Sequence, residues 1–109
     1  MKNLERDPQR PDGHASELTA LMEDFRRRID QLDEELVRLL NARAACALEV
    51  GRLKEQLQVD IYQPARELEV LRHVRGANTG PLNAEAITRL FERIIDEARR
   101  LERVREREG

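Results

Sequence analysis

Aromatic residues are scarce: Phe25, Tyr62 and Phe91 are the only three in 109 residues, and there is no tryptophan. Runs of β-branched residues are also missing. That argues against a sheet, whereas 39% charged and 39% hydrophobic content suits long amphipathic helices. The lone Cys46 excludes an intrachain disulfide; it falls among small residues with no base nearby, so it reads as a buried or half-buried packing residue rather than a nucleophile. No apolar run approaches the roughly 20 residues of a membrane span. The opening MKNLERDPQRPDGHAS lacks the apolar segment of a signal peptide, so the expectation is a cytoplasmic protein with no membrane partner.

Charge of one sign is lacking too. Twenty Lys and Arg against 22 Asp and Glu leave a net charge of -2, which excludes a general electrostatic footprint for nucleic acid. Any anion site must be local. The closing run RRLERVREREG carries enough Glu to read as a solvated helix end. There is no Gly-rich phosphate loop, no nucleophile motif and no internal repeat, and His73 has no second His or Cys at metal-ligand spacing.

A chain of this length makes one small domain with a modest core, so it is expected to need a partner. Residues 1–15 are polar, contain Pro8, Pro11 and Gly13, and are expected to form a disordered tail that includes His14; residues 16–109 would be the helical domain. From a cap at Ser16 or Thr19, apolar residues recur from Leu18 through Phe25, Ile29, Leu36 and Val50 to Leu57 without a proline. The pattern predicts a first helix of about 40 residues, roughly 60 Å long. QVDIYQP breaks it, and Pro64 suits the first turn of a second helix ending near Gly76. After the loop GANTGP, Asn83 can cap a third helix with a buried stripe of Ile87, Leu90, Phe91, Ile94, Ile95, Ala98 and Leu101. Such a first helix is about as long as the other two end to end, so one copy would leave much of its stripe uncovered; dimerisation is the natural remedy.

Several charges lie on the wrong face. Arg43 is seven residues after Leu36 and seven before Val50, within about 20° of both, and Lys54 follows Val50 by four. The two cations point the same way about 16 Å apart, leaving room for a small anion between them. Glu102 repeats the anomaly with opposite sign, seven after Ile95 on the stripe of Phe91, and Arg66 and Glu67 fall in the first turn of the second helix. Taken singly, each could snorkel to the surface or pair with another. Taken together they describe a pocket for a small polyanion, because an unpaired charge away from water costs several kcal/mol. Arg26 is about 100° out of phase with Arg43, so if it serves such a site the site belongs to another subunit.

The ordered set FRRRIDQLDEELVRLLNARAACALEVGRLK, IYQPARELEVL and ITRLFERIIDEARRLE resembles the all-helical class of chorismate mutase, over about residues 21 to 103. The resemblance implies an all-α fold of three helices per chain, one very long, forming an intertwined homodimer. It implies conversion of chorismate to prephenate by an intramolecular Claisen rearrangement, in phenylalanine and tyrosine biosynthesis, with no metal or other cofactor. It gives Arg43 and Arg66 the substrate carboxylates and sends Arg26 across the dimer to the partner's site. Lys54 would hold a carboxylate and the ether oxygen, which Glu102 would also face; Glu67 would accept from the ring hydroxyl, with the Gln63 backbone nearby. Ala98 stands where some members carry a Ser that touches a carboxylate, and Gln63 replaces an acid. Members have Gln or Glu where Glu102 stands, and only a protonated carboxyl there can donate. Two other readings fit the same residues: an isochorismate pyruvate lyase on the same scaffold, or a helical dimerisation or regulatory module without turnover. Docking onto another shikimate-pathway enzyme is left open.

Overall fold

Long runs of helix formers and two breaks, one before Pro64 and one at Gly80–Pro81, shape the chain. The computed structural model describes residues 13–108. Three helices account for most of them: α1 (Gly13–Leu57), α2 (Pro64–Ala77) and α3 (Ala84–Glu108). The first is 45 residues long and starts at Gly13, ahead of the expected caps at Ser16 and Thr19. His14 therefore lies on α1, while residues 1–12 of the expected tail fall outside the described residues. No helix among the described residues is long and apolar enough to cross a membrane.

Two units divide the chain, one ending at Arg38 and the other starting at Leu39. In the first, α1 carries Leu18, Leu21, Phe25, Ile29, Leu32 and Leu36 with about half or more of each side chain exposed. Its opposite charges pair one turn apart, Glu23 with Arg26 at 3.0 Å, Asp24 with Arg27, and Glu35 with Arg38 at 2.5 Å. Exposed pairs of this spacing add only a few tenths of a kcal/mol each, so they solubilise the helix more than they hold it.

In the second unit the end of α1 joins α2 and α3. Near the end of α2, Arg75 donates to Thr88 in the first turns of α3, whereas Glu67 at the start of α2 meets Arg99 late in α3. Contacts running in opposite directions make α2 and α3 an antiparallel pair. Their connector is set by Asn78, whose Oδ1 accepts from the Gly80 N–H two residues on and whose Nδ2 donates to the Leu82 carbonyl. Gly80 has φ 82, which glycine adopts without steric cost. Asn83 caps α3 as its position suggests, its Oδ1 accepting from the Ala86 N–H at 2.8 Å.

The end of α1 carries no such signal in sequence. Gln58 takes the left-handed conformation (φ 59), the Val59 N–H returns to the Lys54 carbonyl at 3.0 Å, and the Gln58 N–H returns to Glu55 at 3.1 Å. These two bonds form the Schellman closure that glycine usually makes. Pro64 opens α2 as expected, and the helix runs to Ala77.

The expected stripe on α3 is only partly covered. Ile95 is the one buried apolar side chain among the described residues; Leu90 and Leu101 are exposed, and Ile87, Phe91, Ile94 and Ala98 are half-buried. A unit of this size, with α2 of 14 residues against α3 of 25, has too little surface to cover a whole stripe.

Candidate active site

Each helix of the second unit contributes charge to one cavity of about 250 Å³, room for a single small metabolite. From α1 come Arg43, Ala47, Val50 and Lys54, which share a face because they recur at three- and four-residue steps. From the connector and the first turn of α2 come Ile61, Gln63, Arg66 and Glu67, and from α3 come Ile95, Ala98, Arg99 and Glu102. Every site residue singled out from the sequence lines this cavity except Arg26. Arg26 belongs to the first unit, where it is exposed and paired with Glu23.

Lys54 is held at both ends. Its Nζ donates to the Ile61 carbonyl at 2.7 Å and to Glu102 Oε1 at 3.2 Å. Two of the ammonium's three N–H bonds are thus used by the protein, which leaves the third for a ligand. The two side chains are 14% and 8% exposed, the least solvated ion pair among the described residues. Removing one member of such a pair strands the other charge, at a cost of about 3–5 kcal/mol in buried cases.

Gly51 makes the approach of Glu102 to α1 feasible. A Cβ at residue 51 would lie 3.2 Å from both Cγ and Oε1 of Glu102, closer than ordinary van der Waals contact.

One turn back from Glu102 on α3, Arg99 grips Glu67. Its Nη2 lies 2.9 Å from each carboxylate oxygen, its Nε 3.1 Å from Oε2, and its Nη1 reaches Asp96 at 3.1 Å. The guanidinium also sits 5.1 Å from the Tyr62 ring centroid, within cation–π range. The hydrogen bonds that Arg99 donates to Glu67 raise the Arg99 pKa above its ordinary value, against the opposing effect of burial, so Arg99 stays charged.

The other two cations are less engaged. Arg43 is half-buried and has no ion-pair partner among the described residues. Arg66 makes only an exposed 3.3 Å contact with Glu69. Four cations and two carboxylates line the cavity, so with all six ionised it carries an excess of two positive charges. Gln63 caps α2 through its backbone, its carbonyl accepting from the Glu67 N–H at 3.1 Å, and makes no side-chain capping bond.

Cys46 also lines the cavity and is exposed, which corrects the expectation of a buried or half-buried thiol. Among the described residues no group of His, Cys, Asp and Glu is placed to hold a metal ion.

Arg99, Gly51 and the Ile61 carbonyl were missed from the sequence. Arg99 could have been found, since it follows Ile95 by four and Phe91 by eight, the same anomaly that exposed Arg43 and Lys54. Lying beside Arg100 and Arg103, it was hidden by a run that reads as solvated charge. A backbone carbonyl leaves no mark in a sequence.

Residues 25–103 match the family described as chorismate mutase type II. A bifunctional chorismate mutase/prephenate dehydratase of Pseudomonas aeruginosa is 42% identical over 83 residues, covering 72% of this chain and 23% of that protein. The chain thus spans about a quarter of the length of the curated relatives it matches. Among solved structures, chorismate mutase (Form II) from Thermus thermophilus aligns with a TM-score of 0.73 and 34% identity, over 75% of this chain and 93% of that one. Chorismate mutase from Helicobacter pylori, solved in complex with prephenate, aligns with a TM-score of 0.76 and 31% identity, over 83% of this chain and 98% of that one.

Proposed function

Because the chain belongs to the chorismate mutase type II family, we propose that it isomerises chorismate to prephenate, with residues 16–109 as the catalytic domain, in the cytoplasmic branch toward phenylalanine and tyrosine. The observation that carries this reading is the cavity's charge: an excess of two cations over carboxylates, matched to a dicarboxylate.

The rearrangement is intramolecular, so the protein's task is to fold the substrate and stabilise its polarised transition state. Arg43 and Arg66, neither held by a buried partner, take the two carboxylates. Anchoring both ends compresses the chain of reacting atoms and removes conformational freedom before the barrier is climbed. Breaking the C–O bond builds negative charge on the ether oxygen. The remaining N–H of Lys54 is directed there, and its fixed bonds to Ile61 and Glu102 mean little reorganisation is needed as charge develops. Glu102 faces the same oxygen, its ion pair with Lys54 holding the ammonium in place. Glu67 accepts from the ring hydroxyl, with the Gln63 backbone beside it. Ala98 offers no hydroxyl, so the contact made by Ser in some members is absent. A millionfold acceleration asks for about 8 kcal/mol, which orientation and a few charge-assisted hydrogen bonds can supply.

A second copy completes the site. The half-exposed apolar row from Leu18 to Leu36 supports association along α1, and Arg26 on that segment would enter the partner's cavity.

Incubating the purified chain with chorismate, without added cofactor, tests the reading: loss of the ultraviolet absorbance with prephenate as product supports it. Pyruvate release from isochorismate, with chorismate untouched, would favour the lyase reading. Consumption of neither substrate would favour a non-catalytic helical module.

A further inference from the structure

Arg99 is engaged by three separate parts of the second unit. It makes the two-pronged contact with Glu67 on α2, a 3.1 Å bond to Asp96 one turn back on α3, and a stacking contact with Tyr62 in the connector before α2. The Arg99 and Glu67 side chains are 22% and 25% exposed, whereas the neighbouring Arg66–Glu69 pair is 68% and 61% exposed. An exposed pair of flexible side chains fixes nothing, but a planar fork on a carboxylate, locked from behind and stacked on a ring, fixes the carboxylate's plane.

The charges of the cavity give this contact a purpose. Lys54 cancels Glu102 and Arg99 cancels Glu67, which leaves Arg43 and Arg66, one for each carboxylate of the ligand. Without Arg99 the Glu67 charge would face an incoming dianion uncompensated, and its carboxylate would be free to rotate. The guanidinium itself has few N–H bonds to spare, since four of its bonds to protein are already made.

We propose that Arg99 is a positioning residue that fixes the Glu67 carboxylate as acceptor for the substrate's ring hydroxyl and cancels the charge that would otherwise repel the dicarboxylate. The inference rests on the chorismate mutase reading above. It separates two effects: charge balance governs how well the dianion binds, and the rigid fork governs how well Glu67 is aimed. Lysine in place of arginine keeps the first and loses the second.

The test measures kcat, KM and melting temperature of the full chain for Arg99→Met and Arg99→Lys, each alone and combined with Glu67→Gln. Arg99→Met should raise KM and lower kcat, with kcat/KM falling about 30-fold or more. Arg99→Lys should bring KM back toward the parent value while kcat stays low. Because the residue acts through Glu67, Arg99→Met should cost several-fold less in the Glu67→Gln background, the signature of coupled residues. The same fold loss in both backgrounds would overturn the proposal, as would a lowered melting temperature with kcat and KM unchanged. If Arg99→Met does not fold, Arg99→Lys carried through the same cycle decides alone. A parent chain that leaves chorismate unchanged would overturn the functional reading and this one with it; an active parent matched by its Arg99 variants would overturn the positioning role only.

Discussion

Gly51 on α1 faces the Glu102 carboxyl of α3 across a gap that a single methyl group would close to 3.2 Å. Two effects of Gly51→Ala oppose each other. Alanine gains about 1 kcal/mol of helix propensity over glycine in a helix interior, and overpacking costs about 1–3 kcal/mol where the neighbour cannot yield. Here the neighbour is a side chain that can shift, so stability should change little, while the displaced carboxyl and its Lys54 partner should cost about tenfold or more in kcat. Thermal melts alongside steady-state kinetics check this, and a large loss of stability with unchanged turnover would contradict it.

Arg43 gives the converse case. Having no ion-pair partner among the described residues and sharing its cavity with three other cations, it contributes electrostatic repulsion to the folded protein. Arg43→Ala should leave stability within about 0.5 kcal/mol of the parent or raise it. It should also cut kcat/KM by about a hundredfold, the scale of removing one charge-assisted hydrogen bond from a desolvated site. Chemical denaturation and kinetics on the same preparation compare the two effects.

Sharing of sites between copies can be tested by complementation. Arg26→Ala and Arg43→Ala damage different chains of the same proposed site. Mixed after co-refolding, the two inactive variants should regain part of the parent activity, because some heterodimers carry one site with both arginines. Activity no higher than the sum of the separate variants would place Arg26 outside catalysis.

The amide of Glu102→Gln can donate a hydrogen bond at every pH, whereas a carboxyl donates only when protonated. Glu102→Gln removes the anion beside Lys54 but keeps a polar group there that can donate, so the folded variant should retain turnover of chorismate in steady-state kinetics. A variant that remains folded and is inactive would show that the charge of Glu102 itself is needed.

Gln58→Gly addresses the fold rather than the site. A non-glycine residue in the left-handed region costs about 1–2 kcal/mol, part of which glycine returns through its greater freedom in the unfolded chain. A net stabilisation of about 0.5–1 kcal/mol, read from denaturant midpoints, is expected.

Much of the site was legible because its physics conflicts with helical periodicity. Arg43, Lys54 and Glu102 stand out since charge seldom sits on an apolar ridge, and Pro64 and Asn83 mark their helix starts by what their side chains can do. Gln58 ends α1 with a motif normally signalled by glycine, so that boundary was visible only through the proline that follows. Arg99 was lost among arginines of the same type, and its role depends on Glu67, 32 residues away in sequence. The cover of the α3 stripe could not be read either: periodicity says which side chains share a face, not whether this chain has the surface to bury them.

The turn after α1 is tied to the cavity by one residue used twice. The Lys54 carbonyl accepts from Val59 to close the helix, and the Lys54 ammonium reaches forward to the Ile61 carbonyl. Surface connections ordinarily absorb insertions and deletions with little harm. Here a residue gained or lost between Val59 and Ile61 would move the acceptor away from a helix end that cannot follow, so this short link should drift in identity while its length stays fixed.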